Sequence, residues 1–298
     1  MEYIPAKTIV TKTKSPSSWF GMDYNMNIYK GCCHGCIYCD SRSNCYGIED
    51  FDRVRAKEDA LRIIRDELRR KRSSGVVGTG AMSDPYNPFE RDLFLTRHAL
   101  ELLDSFGFGT AIATKSDLLL RDLDILESIA EHSPVLCKVT VTTADDALSK
   151  KIEPGVPPSS RRMEMVARLS QQGLFAGILL MPVLPFLEDQ EGNIRAIIRM
   201  TKEAGGRFIY PAFGMTLRGN QREWYFRKLD ELFPGQNLPE KYIRAYQNRY
   251  ECPSPRAKDL WNIFCAECEK QGIRYRMKDI IHGYRIKYQN TQLHLFDL

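Results

Sequence analysis

The sequence predicts a barrel-like α/β sheet followed by a mostly helical C-terminal extension. Three observations predict it. Short β-branched or aromatic runs alternate with helical patterns, the later runs are almost continuously apolar, and the alternation stops near residue 217. Six such β/α units over roughly 190 residues suit a sheet curling into a barrel, whose chemistry sits at the C-terminal ends of the strands.

The expected strands are 24–29, 76–80, 110–114, 135–143, 175–183 and 208–212, each closed by Gly, Pro, Ser or a polar residue. Runs such as Ala176-Gly177-Ile178-Leu179-Leu180-Met181 suit parallel strands covered on their outer face. Between the strands, Leu61, Ile64 and Leu68 share one helical face, and Leu95, Ala99, Leu102 and Leu103 another. Segments 118–129 and 194–200 give two further helices. Beyond residue 217, helices are expected around 220–233, 239–249 and 255–271, then a basic, aromatic stretch and a polar tail. The division is therefore 1–217 for the core with its N-terminal extension and 218–298 for an extension that packs on the barrel or closes it.

The chain has 298 residues, 43% hydrophobic and 27% charged, so fibrous, low-complexity and disordered classes are excluded. The start, Met1-Glu2-Tyr3-Ile4-Pro5, lacks the basic and apolar regions of a secretory signal. The longest apolar run, 175–187, is short and interrupted by Pro182 and Pro185, so no membrane partner is expected. A cytoplasmic location follows as the expectation, and there nine cysteines would not persist as disulfides. Residues 218–298 hold 15 Lys/Arg against 10 Asp/Glu, whereas residues 1–217 hold 28 of each. The excess suggests a polyanion partner; a mixed, solvated surface is the plainer reading.

Three cysteines, Cys32, Cys36 and Cys39, fall within eight residues just after the first expected strand. Three thiolates in one loop hold three irons of a 4Fe–4S cluster and leave the fourth iron open to a small molecule. A structural zinc site wants four closed ligands, which His34, Cys33 or Cys45 could complete. Spacing and position favour the cluster, with Cys33 a bystander.

This loop resembles the signature of the radical S-adenosylmethionine (radical SAM) superfamily, including the aromatic Tyr38 before the third cysteine. More narrowly, the chain resembles the spore photoproduct lyase-like branch, also labelled DNA repair photolyase-like. That resemblance runs from Tyr24 to about Gly283 and rests on Tyr29-Lys30-Gly31-Cys32, Ser83-Asp84-Pro85-Tyr86-Asn87-Pro88 and Thr114-Lys115-Ser116, with Lys151-Ile152-Glu153-Pro154-Gly155 and Phe213-Gly214-Met215-Thr216-Leu217-Arg218. It implies a partial (β/α)6 barrel, a 4Fe–4S cluster, S-adenosylmethionine as cofactor and an external one-electron donor of the flavodoxin or ferredoxin type. It also implies reductive cleavage of S-adenosylmethionine to a 5′-deoxyadenosyl radical that removes hydrogen from a nucleic-acid-related substrate, in DNA lesion repair or modification.

Family roles then fall on matching positions. Cys32, Cys36 and Cys39 ligate the cluster, and Tyr38 lies beside the adenine. Ser83 and Asp84 hydrogen-bond the methionine amine, although Asp84 before Pro85 also reads as a turn starter. Lys115 pairs with the methionine carboxylate and Ser116 adds a hydrogen bond. Thr140 and Thr142, two apart on one strand face, line the site, with Glu153 and Arg162 as weaker candidates. Met181-Pro182-Val183 is an apolar wall for the adenine or core packing.

Two departures bear on the substrate. The lyase has a cysteine where this chain has Ala81, and a tyrosine where this chain has Asp40, so both parts of its hydrogen-returning relay are absent from their positions. A lyase-like radical enzyme on a different or modified substrate is the expectation. The alternatives are a zinc-stabilised nucleic-acid-binding module and a radical SAM enzyme acting on a protein or small metabolite.

Three features lie outside the resemblance. Cys252, Cys265 and Cys268 could hold a second metal or simply be buried as small hydrophobes. The stretch 274–288 interleaves Arg and Lys with tyrosines that could stack on bases; an edge strand is the plainer reading. The tail segment Gln292-Leu293-His294-Leu295-Phe296 resembles the peptide by which DNA polymerases and repair proteins hold the bacterial sliding clamp, so DNA and the clamp are candidate partners.

Overall fold

In the computed structural model, residues 1–15, 18–80 and 82–289 are described, Gln289 by its backbone alone. Ala81 and the clamp-like segment Gln292–Phe296 lie outside the described residues. The core is a seven-stranded sheet with six parallel strands: β2 (Tyr24–Met26), β3 (Val76–Thr79), β4 (Gly109–Thr114), β5 (Val135–Thr140), β6 (Phe175–Leu180) and β7 (Ile209–Pro211), in that order across the sheet. A short strand β1 (Val10–Lys12) pairs antiparallel to the outer edge of β2. This is the expected partial (β/α)6 barrel, open between its first and last strands. Trp19 and Phe20 pack edge-on against Tyr210 from β7, with ring centroids 5.5 and 5.3 Å away.

The outer layer follows from helical periodicity. Helix α1 (Ala60–Arg70) buries Ala60, Ile64 and Leu68, one residue per turn. Helices α2 (Leu95–Ser105), α3 (Leu123–His132), α4 (Ser159–Gln171) and α5 (Glu191–Glu203) cover the sheet in turn. Helix α4 and a short helix at Asp146–Ile152 were not expected, because buried Arg162 and Ser159 interrupt the apolar stripe of the first and the second is only seven residues long.

The sheet's inner face carries small residues on β3, β4 and β6. Gly78 pairs in register with Ala111, and Lys138 sits between Ala113 and Gly177. Met22 and Phe208 fill the space over Gly78 and Gly177 and pack with Phe20, Leu136, Ile280 and Tyr284 as a plug.

The expected strand 24–29 is split. Ile28 O accepts a hydrogen bond from Lys57 N at 3.0 Å, and Tyr29–Lys30 joins a separate small sheet with Arg55–Lys57 and Glu2–Ile4. The expected strand 135–143 stops at Thr140.

The extension contains α6 (Gly219–Leu232), α7 (Leu238–Tyr246) and α8 (Ala257–Gln271), and its strand β9 (Glu251–Pro253) pairs antiparallel with β8 (Gly214–Thr216) just before it. The basic stretch is neither free nor an edge strand. It forms helix α9 (Met277–Gln289), with Ile280 and Tyr284 in the barrel plug. Arg285 donates to Asp23 at 2.8 Å and to Gly21 O, and Tyr288 donates to Ala130 O at 2.8 Å.

Candidate active site

The cysteine loop leaves Tyr29–Lys30 through Gly31, whose φ of +83° suits glycine. A side chain there would lie 2.6 Å from Arg53 O, so the loop passes directly under the 51–53 backbone, where Cys32 N donates to Phe51 O at 2.8 Å. The Lys151–Gly155 motif clamps the loop from the other side. Ile37 N donates to Ile152 O at 3.0 Å and Gly155 N to His34 O at 2.9 Å. A Cβ on Gly155 would meet His34 O at 2.6 Å.

Cys32, Cys36 and Cys39 line one cavity of about 170 Å³, and all three are free thiols. Among the described residues, no three His, Cys, Asp or Glu side chains converge closely enough to hold a single ion. Cys33 packs against the core and Cys45 is exposed, and neither lines the cavity. Three thiols spread around a shared space fit a multi-iron cluster better than a closed tetrahedral zinc site. Burial pushes the Cys36 thiol up, and nearby Lys115 only partly offsets it. Burial also acts on Cys32, but the hydrogen bond and charge of His34 outweigh it and lower that thiol. His34 itself sits 3.5 Å from Asp84.

Lys115, at the end of β4, reaches the same cavity. Its ammonium lies 4.0 Å from Glu153 Oε1 and 5.6 Å from the Tyr38 ring centre. Glu153 is fully buried, accepts hydrogen bonds from Tyr38 and Arg162, and is the hub of this site. Arg162, also fully buried, further donates to Thr140 O and to Ser149 Oγ, both at 2.7 Å. Burial would raise the Glu153 carboxyl, but Arg162 and then Lys115 pull it below its ordinary value. Burial opposes the Lys115 ammonium, and Cys36 and Glu153 more than restore it. The weaker sequence candidates, Glu153 and Arg162, thus form the frame behind Tyr38 and Lys115.

The other expected residues divide. Ser83 and Thr140 line the cavity, with Ser83 Oγ donating to Tyr29 O at 3.1 Å. Asp84 lines it as well, but its oxygens hold neighbouring loops together: they accept from Tyr86 N at 2.9 Å, Thr114 Oγ1 at 2.6 Å and Lys115 N at 2.8 Å. The turn-starter reading of Asp84 is thus present in the geometry, extended to a tie between β3 and β4. Ser116 does not line the cavity; its hydroxyl caps the following turn through Leu118 N at 3.3 Å. Thr142 is likewise not brought to the cavity. With the strand ended at Thr140, its hydroxyl turns to Glu188 Oε1 at 2.6 Å.

The small cavity shares Tyr38, Cys39, Gly80, Ala113, Lys115 and Leu179 with a larger one of about 610 Å³ inside the barrel. Met181 and Pro182 line that space, while Val183 belongs to the outer core. The β8–β9 ribbon forms its rim, and Asp40 fastens the cysteine loop to that rim. Asp40 accepts from Thr216 Oγ1 at 3.0 Å, Arg218 at 2.8 Å and the Tyr46 hydroxyl at 2.6 Å. The larger cavity also holds Lys138, which the sequence reading missed. The available signal was one charged residue at an inward position of the apolar run Val135-Leu136-Cys137-Lys138-Val139.

Cys252 packs in a different apolar cluster from Cys265 and Cys268, so the structure does not bring the second cysteine set together.

A family profile described as the radical SAM superfamily matches residues 26–196. An uncharacterized protein of Mycobacterium tuberculosis is 30% identical over 233 residues, covering 75% of this chain and 67% of its own. An uncharacterized protein of Methanocaldococcus jannaschii is 32% identical over 242 residues, covering 80% of this chain and 84% of its own. Among solved structures, spore photoproduct lyase complexed with dinucleoside spore photoproduct superimposes with a TM-score of 0.64 at 14% identity, over 91% of this chain and 80% of the lyase. The last likeness is one of fold.

Proposed function

The chain belongs to the radical SAM superfamily, and on that premise we propose that Cys32, Cys36 and Cys39 hold a 4Fe–4S cluster and that the enzyme acts on a nucleic-acid-related substrate. The observation that carries this reading is spatial. Three free thiols open into one cavity with Lys115, and that cavity continues into a hollow barrel large enough for a substrate. When bound, the cluster supplies an electron that cleaves S-adenosylmethionine and so starts radical chemistry on the substrate.

The chain's own residues bind and orient. Lys115 offers a half-buried ammonium to the methionine carboxylate, and Ser83 offers a hydroxyl to the methionine amine. Glu153 and Arg162 fix the Tyr38 hydroxyl, so the ring stands as a wall between the two cavities. Met181 and Pro182 give the apolar surface that an adenine would cover.

The nucleic-acid reading is supported by the likeness of fold to a lyase solved with a dinucleoside photoproduct, and by the positive excess in residues 218–298. The test is anaerobic reduction with S-adenosylmethionine while damaged or modified DNA and RNA oligonucleotides are added in turn. Accelerated 5′-deoxyadenosine release with one oligonucleotide, and a changed base in it, is the expected result. Stimulation only by a peptide or small metabolite would overturn the substrate class.

An external flavodoxin or ferredoxin would deliver the electron. The clamp-like tail would tether the enzyme near DNA; equal clamp binding by the intact chain and by a form ending at Thr291 would remove that role.

A further inference from the structure

Lys138 is only 2% exposed, yet it faces the larger cavity from the middle of β5, one inward position below Thr140. Its neighbours across the sheet are Ala113 and Gly177, and the Phe208 ring covers the latter. Among the described residues no carboxylate pairs with its ammonium. Its partners are Met22 Sδ at 3.7 Å, a weak acceptor, and the Phe20 ring, whose centre lies 4.7 Å away. Lys115, by contrast, has Glu153 Oε1 4.0 Å from its ammonium. A buried cation without a counter-ion is costly unless something compensates it. Burial accordingly pushes Lys138 down to about 7, and the one titratable group acting on it is the neighbouring Cys137 thiol.

The empty space in front of it has the opposite character. Trp19, Phe20, Met22, Leu179 and Met181 give apolar and aromatic walls, with Asn25 and Thr79 as polar points on the β2–β3 side. Asp40 and Glu251 also border the cavity, but Asp40 is committed to Thr216, Arg218 and Tyr46, and Glu251 lies in the rim ribbon. A hydrophobic enclosure with one uncompensated cation in its wall is a receptor for a group that brings its own negative charge.

We propose that Lys138 anchors an anionic oxygen group of the substrate, a phosphodiester or a carboxylate, inside the barrel. The assignment rests on reading the larger cavity as the substrate site. For a nucleic acid the anion is a phosphodiester beside the target base, and the aromatic walls accept the base. Lys138 positions the substrate and takes no part in bond cleavage. Anion binding also returns a proton to the amine, because above pH 7 much of the free Lys138 is neutral and the bound anion favours the ammonium.

The experiment is titration calorimetry on the cluster-loaded, S-adenosylmethionine-bound enzyme at about pH 8, in two buffers of different ionisation enthalpy. The probes are thymidylyl-(3′→5′)-thymidine, its uncharged methylphosphonate analogue and succinate. The dinucleotide is expected to bind with uptake of close to one proton. The methylphosphonate should bind about tenfold or more weakly, without proton uptake. Lys138→Met, which keeps length and apolarity, should lose that difference and the proton uptake while melting no lower than the unaltered protein. Lys138→Arg should keep the preference for charge without the proton uptake. Lysine-dependent binding of succinate alone would keep the anion site and remove the nucleic-acid substrate. Equal dinucleotide affinity in Lys138→Met, or no binding of either anion at millimolar concentration, would overturn the proposal.

Discussion

Replacing Glu153 by Gln should unbalance the frame of the site more than any other single change of similar size. Glu153 is fully buried and is the carboxylate shared by Arg162, itself fully buried, and Lys115. Glutamine keeps the volume and its carbonyl oxygen can still accept from Arg162, while its amide nitrogen can meet Tyr38 only by donating to the hydroxyl oxygen, so the main loss is charge. Removing one partner of a buried pair leaves an uncompensated ion and costs about 3–5 kcal/mol. For a chain of this size each kcal/mol lowers Tm by roughly 2–4 °C, so the expected loss is on the order of 6–20 °C. The assay is thermal unfolding followed by circular dichroism, with Arg162→Met and the double variant closing a cycle. Removing both charges should return much of the loss, because the fully buried Arg162 ion is gone and only the partly exposed Lys115 is left without its carboxylate. The folded-state carboxyl lies below its ordinary value of 4.5, so the stabilisation is present above that pH and fades as pH falls through the lowered value. The gap between the native protein and Glu153→Gln should therefore narrow in acid. A loss below about 1 kcal/mol, or strict additivity in the cycle, would refute the reasoning.

Other changes separate the roles of neighbouring residues. Lys115→Ala should weaken S-adenosylmethionine binding by ten- to a hundredfold, from roughly 1.5–3 kcal/mol for a charge-assisted hydrogen bond, while iron content stays unchanged; equilibrium dialysis and iron analysis measure the two. Gly155→Ala should lower iron retention without touching a ligand, because the added methyl would press on His34 O in the cluster loop; full iron loading would contradict the clamp. Arg285→Ala should lower Tm by releasing Asp23 and the 19–21 turn, and should leave nucleic-acid affinity nearly intact; a loss of salt-dependent DNA binding at unchanged Tm would instead return α9 to an interface role.

Much of this architecture was legible because its signals are local. Apolar runs of strand length marked β3 to β7, and three cysteines in eight residues marked the cluster loop. The family motifs were readable as strings, but what they do was not. Lys151–Gly155 works by folding onto the cysteine loop from more than a hundred residues away. The segment 213–218 works through β8 and Arg218 on Asp40. Thr142 failed as a lining residue because alternation holds only while the strand lasts, and β5 ends at Thr140. Helix α9 was obscured because its basic residues pair with the chain's own carbonyls and Asp23, contacts that no local pattern reports. Lys138 was overlooked because a single lysine in an apolar run gains meaning only when the strand's inward face is known.

The proposed role of Cys32, Cys36 and Cys39 is to hold a cluster that reductively cleaves S-adenosylmethionine. The most direct measurement is anaerobic reduction of the reconstituted protein with S-adenosylmethionine, reading 5′-deoxyadenosine by chromatography beside iron content, for the unaltered chain and for Cys36→Ala. About four irons and steady 5′-deoxyadenosine formation are expected in the first, and loss of formation in a still-folded second. A colourless zinc protein, or full cleavage by Cys36→Ala, would contradict it.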